Sequence, residues 1–547
     1  MDLPSELKKR IVGDVSTDAE TIERASHDAS IFEMRPSVVV FPKNSQDIKA
    51  LVRFVSEEKE NNPALSLTAR AAGTCMSGGP LTTSISVAFT KYMNAIGNTS
   101  GSRITAEPGA YYRDFEKKTI SQNLLLPSFP ASREMCAIGG MIANNAGGEK
   151  NIKYGKTERY VKRLWAVLSD GNEYEFAPLS ERELEAKLHL PTFEGDVYRG
   201  VSSIVREHHA AIENARPHVS KNSAGYALWN VWNPDTKIFD LTKLFVGSQG
   251  TLGLITKAEF ELVPVQKHSQ MIILFLPSID LLSELTSAIL PHKPESFEAY
   301  DDHTLKLALK FFPSFARLLG LKNLFSFALH FLPELFLLLR GGLPKLILQA
   351  EFTGDDLGLV EETLRRLEKD IKPFGVRYRI AKSASDVLKY KLIRRESFNL
   401  LRNRIKDRHT APFIDDFVVN PEKLEEFLPK LNEILSRYNL IYTIAGHMGD
   451  GNFHIIPLMN FHNPSERAII PELSKKVYDL VFQYHGSTTG EHNDGLVRGP
   501  FLKQMFGEDV YRLFVETKRI FDPKNIFNPN KKIGVSMDYA FQFVRKD

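Results

Sequence analysis

At 547 residues the chain is too long for a single hydrophobic core, so two or more domains are expected. A hydrophobic content of 43% with 25% charged residues excludes a disordered or fibrous protein. The net charge of +3 is small and no basic tract carries interleaved aromatics, which argues against nucleic acid as a partner.

In chain order, residues 1–35 read as a polar lead-in. A β-branched run, Ser37–Phe41, stops at Pro42, and Asn44 to Ser56 has helical spacing with Ser45 as N-cap. A second strand-like run, Ala64–Thr68, enters a glycine-bearing loop. Short β-rich segments and glycine clusters continue to about Pro264, around a more helical insert at roughly 180–235. Then come a strand at Met271–Leu276, a helix at Ile279–Ala288, a strand at Leu346–Phe352 and a helix at Asp355–Asp370. This alternation predicts an α+β second domain. The expected units are 1–35, 36–265, 266–500 with an insert at 305–349, and a C-terminal helical segment, 501–547.

Only Cys75 and Cys136 are present, which excludes a disulfide framework, a four-cysteine zinc site and an iron–sulfur cluster carried by this chain's cysteines alone. The N-terminus, Met1-Asp-Leu-Pro-Ser-Glu6, lacks the basic-then-apolar run of a secretory signal. No apolar stretch reaches the roughly 18–20 residues that span a bilayer. A cytoplasmic protein is expected.

Three segments stand out for small residues. The first is Ala69-Arg-Ala-Ala-Gly-Thr-Cys-Met-Ser-Gly-Gly-Pro80, where successive backbone N–H groups can form an anion nest and Thr74 and Ser77 add hydroxyls. The second is Cys136-Ala-Ile-Gly-Gly-Met-Ile-Ala-Asn-Asn-Ala-Gly-Gly148. The third, Phe245-Val-Gly-Ser-Gln-Gly-Thr-Leu-Gly-Leu-Ile255, feeds a strand. Any one of them alone reads as a tight turn. None follows G-x-G-x-x-G, which argues against a Rossmann NAD site.

With the Ser37–Pro42 strand, these loops resemble the FAD-binding domain of the vanillyl-alcohol oxidase and p-cresol methylhydroxylase superfamily. The nearer resemblance is to its D-lactate, glycolate and D-2-hydroxyglutarate dehydrogenase branch, over about residues 25–535. It implies a two-subdomain FAD-binding domain followed by an α+β substrate, or cap, domain. It also implies that Arg70, Ala71, Ala72, Gly73, Thr74, Ser77 and Gly78 cradle the FAD pyrophosphate. Cys136, Gly139, Gly140, Ala143, Asn144, Ala146 and Gly147 would line the flavin and ribityl chain, with Gly250 and Ile255 behind the isoalloxazine. Some relatives attach flavin covalently through a histidine in the first loop. This loop has none, so the FAD is expected to be non-covalent. Ala71 and Ala72 stand where relatives tend to have glycines.

The sharpest motif is Ala445-Gly-His-Met-Gly-Asp-Gly-Asn-Phe-His-Ile-Ile456. Strand-like flanks and Asp450-Gly451 predict a hairpin with a two-residue type I′ turn. Counting outward pairs His447 with His454 on one face, their Cβ atoms about 4.5–5.5 Å apart. Glu491, in Gly490-Glu-His-Asn-Asp-Gly495, is available as a third ligand, a set that suits zinc, manganese or iron. A cross-strand histidine pair on a solvated hairpin is the plainer alternative. The dehydrogenase branch carries the same H-x-G-D-G-N-x-H run and a later G-E-H-G motif. The resemblance therefore implies His447, His454 and Glu491 as metal ligands and His492 as the base. Asn493 replaces the usual glycine, and asparagine tolerates the left-handed conformation.

Arg394-Arg395-Glu396 matches an R-E pair of the family whose arginine grips the substrate carboxylate, a role carried to Arg395; a helix-surface ion pair is the alternative. Residues 305–349 are Phe/Leu-rich and basic. They read as a helical insert packed on the second domain, or as a surface for anionic lipid on the inner face of a membrane.

The implied reaction is oxidation of a D-2-hydroxy acid, with hydride transfer to flavin N5. The electrons would leave to a quinone, an electron-transfer flavoprotein or an iron–sulfur subunit. A homodimer is a further expectation. Two rivals are an ether-lipid synthase, which uses the same fold without net redox change, and a flavin electron carrier.

Overall fold

The computed structural model describes residues 2–302, 344–383, 385–392 and 407–546, with the backbone alone at 443. Val38, Val39 and Val40 are buried to within 1% because their strand, Val38–Phe41, lies inside a sheet of order 14–16, 38–41, 85–88, 67–70. Its pairings with Ile85–Ala88, and of that strand with Leu67–Arg70, are parallel. Parallel strands are covered on both faces, which explains the unbroken valine run. The helix Ser45–Glu58 follows the valine strand and buries Ile48, Leu51, Val52 and Val55 at helical spacing. Its N-cap is Asn44 and not Ser45: the Asn44 side chain accepts from the N–H groups of Gln46 and Asp47.

The lead-in is part of this sheet rather than a separate segment. Asp14–Ser16 pairs antiparallel with Val39–Phe41, and Leu7 and Ile11 join the core beneath. The far end of the chain returns to the same place. Leu67 N–H donates to Ile526 O at 2.8 Å and Asn528 N–H to Leu67 O at 2.9 Å.

A second sheet, ordered Arg103–Ala106, Leu254–Glu261, Val161–Val167, Glu173–Phe176, is antiparallel. Residues 254–261 alternate between buried and partly exposed, as a sheet with one covered face requires. The helices Phe193–Glu207 and Leu502–Phe521 share its core through Val197, Val201, Phe514 and Phe521.

The second lobe is an antiparallel sheet ordered 377–381, 268–276, 346–354, 296–301, 441–447, 452–459, 409–410, with Phe417–Val418 pairing off that path. In Leu346–Gly354, residues 346, 348, 350 and 352 enter the core formed with the helices Leu282–Ile289, Leu357–Ile371, Leu424–Ser436 and Pro464–Gln483. Alternate residues Gln349 and Glu351 point to the other face, as does Glu298 on its neighbour. That face sets these buried polar groups among apolar ones such as Ile273 and Ile347, and the active-site candidates lie on it.

Most of the 305–349 insert and the Arg394–Glu396 motif, Arg395 included, lie outside the described residues. Leu346–Gln349 of the insert are strand. Among the described residues no helix is long and apolar enough to cross a membrane.

Candidate active site

The hairpin forms, with a different turn. His447 ends the strand Ile441–His447, Met448–Asp450 make a 3₁₀ turn, and Gly451 takes φ +64°. His447 therefore faces Asn452, and His454 faces Ala445. This corrects the expected His447–His454 pairing. The connection is four residues long, so the register moves by two, which leaves every side chain on its original face. The two imidazoles are diagonal neighbours, ring centres 5.1 Å apart and nearly perpendicular. A Cβ on Gly451 would lie 1.8 Å from Val419 O, so the turn is closed against a neighbouring backbone.

The loop Gly490–Gly495 meets this face. Glu491 Oε1 lies 3.3 Å from His447 Nε2, 3.5 Å from His454 Nε2 and 3.8 Å from His492 Nε2. Behind the rings, Asp415 Oδ1 is 3.0 Å from His454 Nδ1, and Oδ2 is 2.7 Å from His492 Nδ1. Glu298 holds His447 Nδ1 at 2.8 Å. Asp416 shapes the loop by accepting from the N–H groups of Glu491 and His492, at 3.0 and 2.7 Å, and from Thr489. Asn493 has φ +68°, the left-handed geometry expected of it, and its amide donates to Gly247 O at 2.9 Å.

Burial and charge oppose each other here. Burial disfavours ionised Glu491, yet Lys221 and His447 hold its carboxyl well below the usual range. Burial favours neutral His454, yet Asp415 and Glu491 push it up to about 10. His492 is raised in the same way by Asp416 and Asp415. The carboxylates of Glu298, Asp415, Asp416 and Glu491 gather here with the buried cations Lys221, Lys156 and Arg498. Without a metal, the raised His454 and His492 hold protons against these carboxylates; a divalent cation on the same atoms would displace them. Donor atoms of Asp416, His454, Glu491 and His492 lie within 4.8 Å of one another, a nitrogen and oxygen set that fits zinc, manganese or iron. His492, expected as a base, stands in this set with His454 and Glu491, whereas His447, the third expected ligand, does not; the base role requires that the His492 Nε2 stay off the metal.

Beside this cluster runs a cleft walled by small residues. Ala71, Ala72, Gly73 and Thr74 on the first loop, Gly139, Gly140, Ala143 and Asn144 on one face of the helix Ile138–Asn144, and Gly250 with Ile255 are all partly exposed. The opposite helix face, Ile138, Met141 and Ile142, is core. A Cβ on Gly140 would find only Ala71 Cβ, at 3.5 Å, and one on Gly250 only Ala69 Cβ, at 3.4 Å. Space is left where a flat ligand can approach the backbone, and these residues fit FAD.

Several residues expected at the cofactor also make contacts within the protein. Arg70 donates to the carbonyls of Arg24, Ala25 and His27, closing the end of the helix Ala19–Ser26. Ser77 is fully buried and donates to His492 O at 3.2 Å. Gly78 is buried against Phe32 and Leu496. Cys136 lies in the core, its thiol pushed up to about 12 by burial. Ala146 and Gly147 are buried behind the cleft, where a Cβ on Gly147 would meet Lys156 and Lys221, each at 3.2 Å.

One side chain overlooked in the third glycine segment joins cleft and cluster. Gln249 accepts from Gly495 N–H at 2.8 Å and donates to Ser77 Oγ and Asn144 Oδ1, at 3.1 and 3.2 Å. Asp415, Asp416, Glu298 and Lys221 were also missed. The signal available for the two aspartates was a pair of acids set inside the apolar run Phe413–Val419.

Two family models match, "FAD binding domain" over residues 36–177 and "FAD linked oxidases, C-terminal domain" over residues 265–532. The chain belongs to the FAD-linked oxidases, with a FAD-binding domain of the vanillyl-alcohol oxidase type followed by their C-terminal domain. Within them it is 27% identical to D-2-hydroxyglutarate dehydrogenase of Pseudomonas putida, over 95% of this chain and 50% of that protein. It is 26% identical to D-lactate dehydrogenase of Archaeoglobus fulgidus, over 91% of both. The chain spans about half the length of the D-2-hydroxyglutarate dehydrogenases it matches. Its fold is that of p-cresol methylhydroxylase with substrate bound: TM-score 0.65 at 15% identity, covering 96% of this chain and 94% of the other.

Proposed function

We propose that this protein dehydrogenates a D-2-hydroxy acid of the lactate, glycolate or 2-hydroxyglutarate type to the 2-oxo acid. The observation that carries the reading is the meeting of three imidazole Nε2 atoms around one oxygen of Glu491, beside a cleft of small residues. When bound, non-covalent FAD supplies the two-electron acceptor and a divalent metal supplies a Lewis acid that lowers the hydroxyl pKa.

The chain's own groups do the rest. His492 receives the hydroxyl proton at Nε2, because Asp415 fixes its Nδ1 as the donor. Asp415 also fixes the tautomer of His454 and sets the two rings 5.1 Å apart. Asn493 and Gln249 tie the histidine loop to both cleft walls, so base and cofactor share one frame. Arg395 holds the substrate carboxylate, and the electrons pass on to a quinone, an electron-transfer flavoprotein or an iron–sulfur subunit.

The test is anaerobic mixing of the FAD-loaded protein with D-lactate, glycolate and D-2-hydroxyglutarate, with zinc or manganese and after chelation. Bleaching of the flavin by one D-acid, lost on chelation, is expected. A flavin that stays oxidised with every acid and metal would reject the proposal, and with it net redox use of the site.

A further inference from the structure

The two oxygens of Glu491 have different neighbours. Oε1 faces the three imidazoles, whereas Oε2 lies 2.6 Å from Lys221 Nζ. Lys221 is wholly buried; its contact with Oε2 is an ion pair without hydrogen-bond alignment, and its ammonium donates to Asn452 Oδ1 at 3.1 Å. Asn452 is itself fixed: it stands opposite His447 in the hairpin, and its amide donates to Asp416 at 3.1 Å. The lysine stem packs beside Gly147, where a Cβ would meet Cε at 3.2 Å. The ammonium is therefore held from two sides and has little room to leave the carboxylate.

We infer that Lys221 is a positioning residue that restricts Glu491 to one-oxygen ligation and so keeps coordination positions open for the substrate. The inference rests on the metal-assisted reading above. A carboxylate beside a divalent cation can bind through one oxygen or both. To bring Oε2 onto the metal, Glu491 must give up a buried ion pair, whose loss leaves an ammonium without a counter-charge. The pairing thus favours one oxygen. A 2-hydroxy acid brings a hydroxyl and a carboxylate oxygen of its own, and those need the vacated positions.

The experiment uses the FAD-loaded full chain with manganese(II), comparing wild type, Lys221→Met and Lys221→Arg. Exchangeable water on the ion is counted by water-proton relaxation, and affinity for the bleaching acid is read from the flavin spectrum. Lys221→Met is expected to lose one exchangeable water and to bind the acid at least tenfold more weakly, while Lys221→Arg keeps the wild-type count. Unchanged hydration and acid affinity in Lys221→Met would overturn the inference and leave Lys221 a charge-balancing residue.

Should Lys221→Met fail to fold, a crystal structure of the metal-loaded wild type decides. Glu491 Oε2 on Lys221 and off the metal supports the inference; both oxygens on the metal overturns it. A wild type that takes up no metal removes the metal-assisted reading itself, a separate result.

Discussion

At Asp415 one carboxylate orients two imidazoles, those of His454 and His492. Replacing it by Asn leaves one acceptor oxygen for two ring N–H groups, so one of the rings loses its tautomer. Such partners behind metal ligands are worth about 10–100-fold in affinity. Asp415→Asn is expected to weaken zinc or manganese binding by about that factor, measured by competition with a chromophoric chelator. The pH behaviour follows from the same charges. In metal-free protein His454 is raised to about 10, so its stabilising contribution is complete below the unfolded value of about 6.5. It is lost as pH climbs through the folded value. The Tm of chelated protein should fall between pH 7 and 10, and fall less in His454→Gln; equal slopes would contradict it. The histidines and Glu491 were legible because they sit among glycines in short motifs. Asp416 was not, because it reaches Glu491 and His492 across separations of 75 and 76 residues and no local spacing reports such a contact.

At the level of elements, alternation and helical spacing located Leu346–Gly354 and Leu357–Ile371 but gave no sign of Ser296–Asp301, Leu424–Ser436 or Pro464–Gln483. The hairpin turn was misread for a tertiary reason. Asp450-Gly451 favours a two-residue turn locally, but groups from the first lobe hold the segment: Asn151 donates to Asp450 Oδ1 at 2.8 Å and Ser220 to Asp450 O at 3.0 Å. Val419 N–H closes on Gly451 O at 2.9 Å. The 3₁₀ turn is what those contacts select. Gly451→Ala therefore meets both a positive φ and the Val419 carbonyl. The φ strain alone costs about 1–3 kcal/mol, and the collision must displace the turn. Urea denaturation is expected to show a loss of at least that size, with metal uptake reduced in the folded fraction. A wild-type midpoint would show that the turn is not held as described.

Across the whole molecule, the sequence marked where glycine loops and histidine motifs lie but not that the chain's two ends close the first lobe, since short pairings such as Asp14–Ser16 with Val39–Phe41 carry no distinctive pattern. The contact between lobes was equally hidden. Glu295, 1% exposed at the head of the strand Ser296–Asp301, takes Lys150 at 2.5 Å, Lys153 at 3.4 Å and Tyr154 at 3.3 Å from the first lobe. Burial raises its pKa, but Lys150, Thr353 and Lys153 together outweigh that and hold it below the ordinary value. A depressed carboxyl stabilises the fold above its unfolded pKa, and that stabilisation disappears as pH falls through the folded value. Glu295→Gln removes the charge and strands two lysines. Breaking a buried pair costs about 3–5 kcal/mol, and the partly exposed lysines place this one at or below the lower end. The urea midpoint of Glu295→Gln should therefore fall well below wild type at pH 7, and the gap should narrow as the pH is lowered through 4. A gap that is the same at both pH values would mean that Glu295 acts by shape rather than by charge, and that something else joins the lobes.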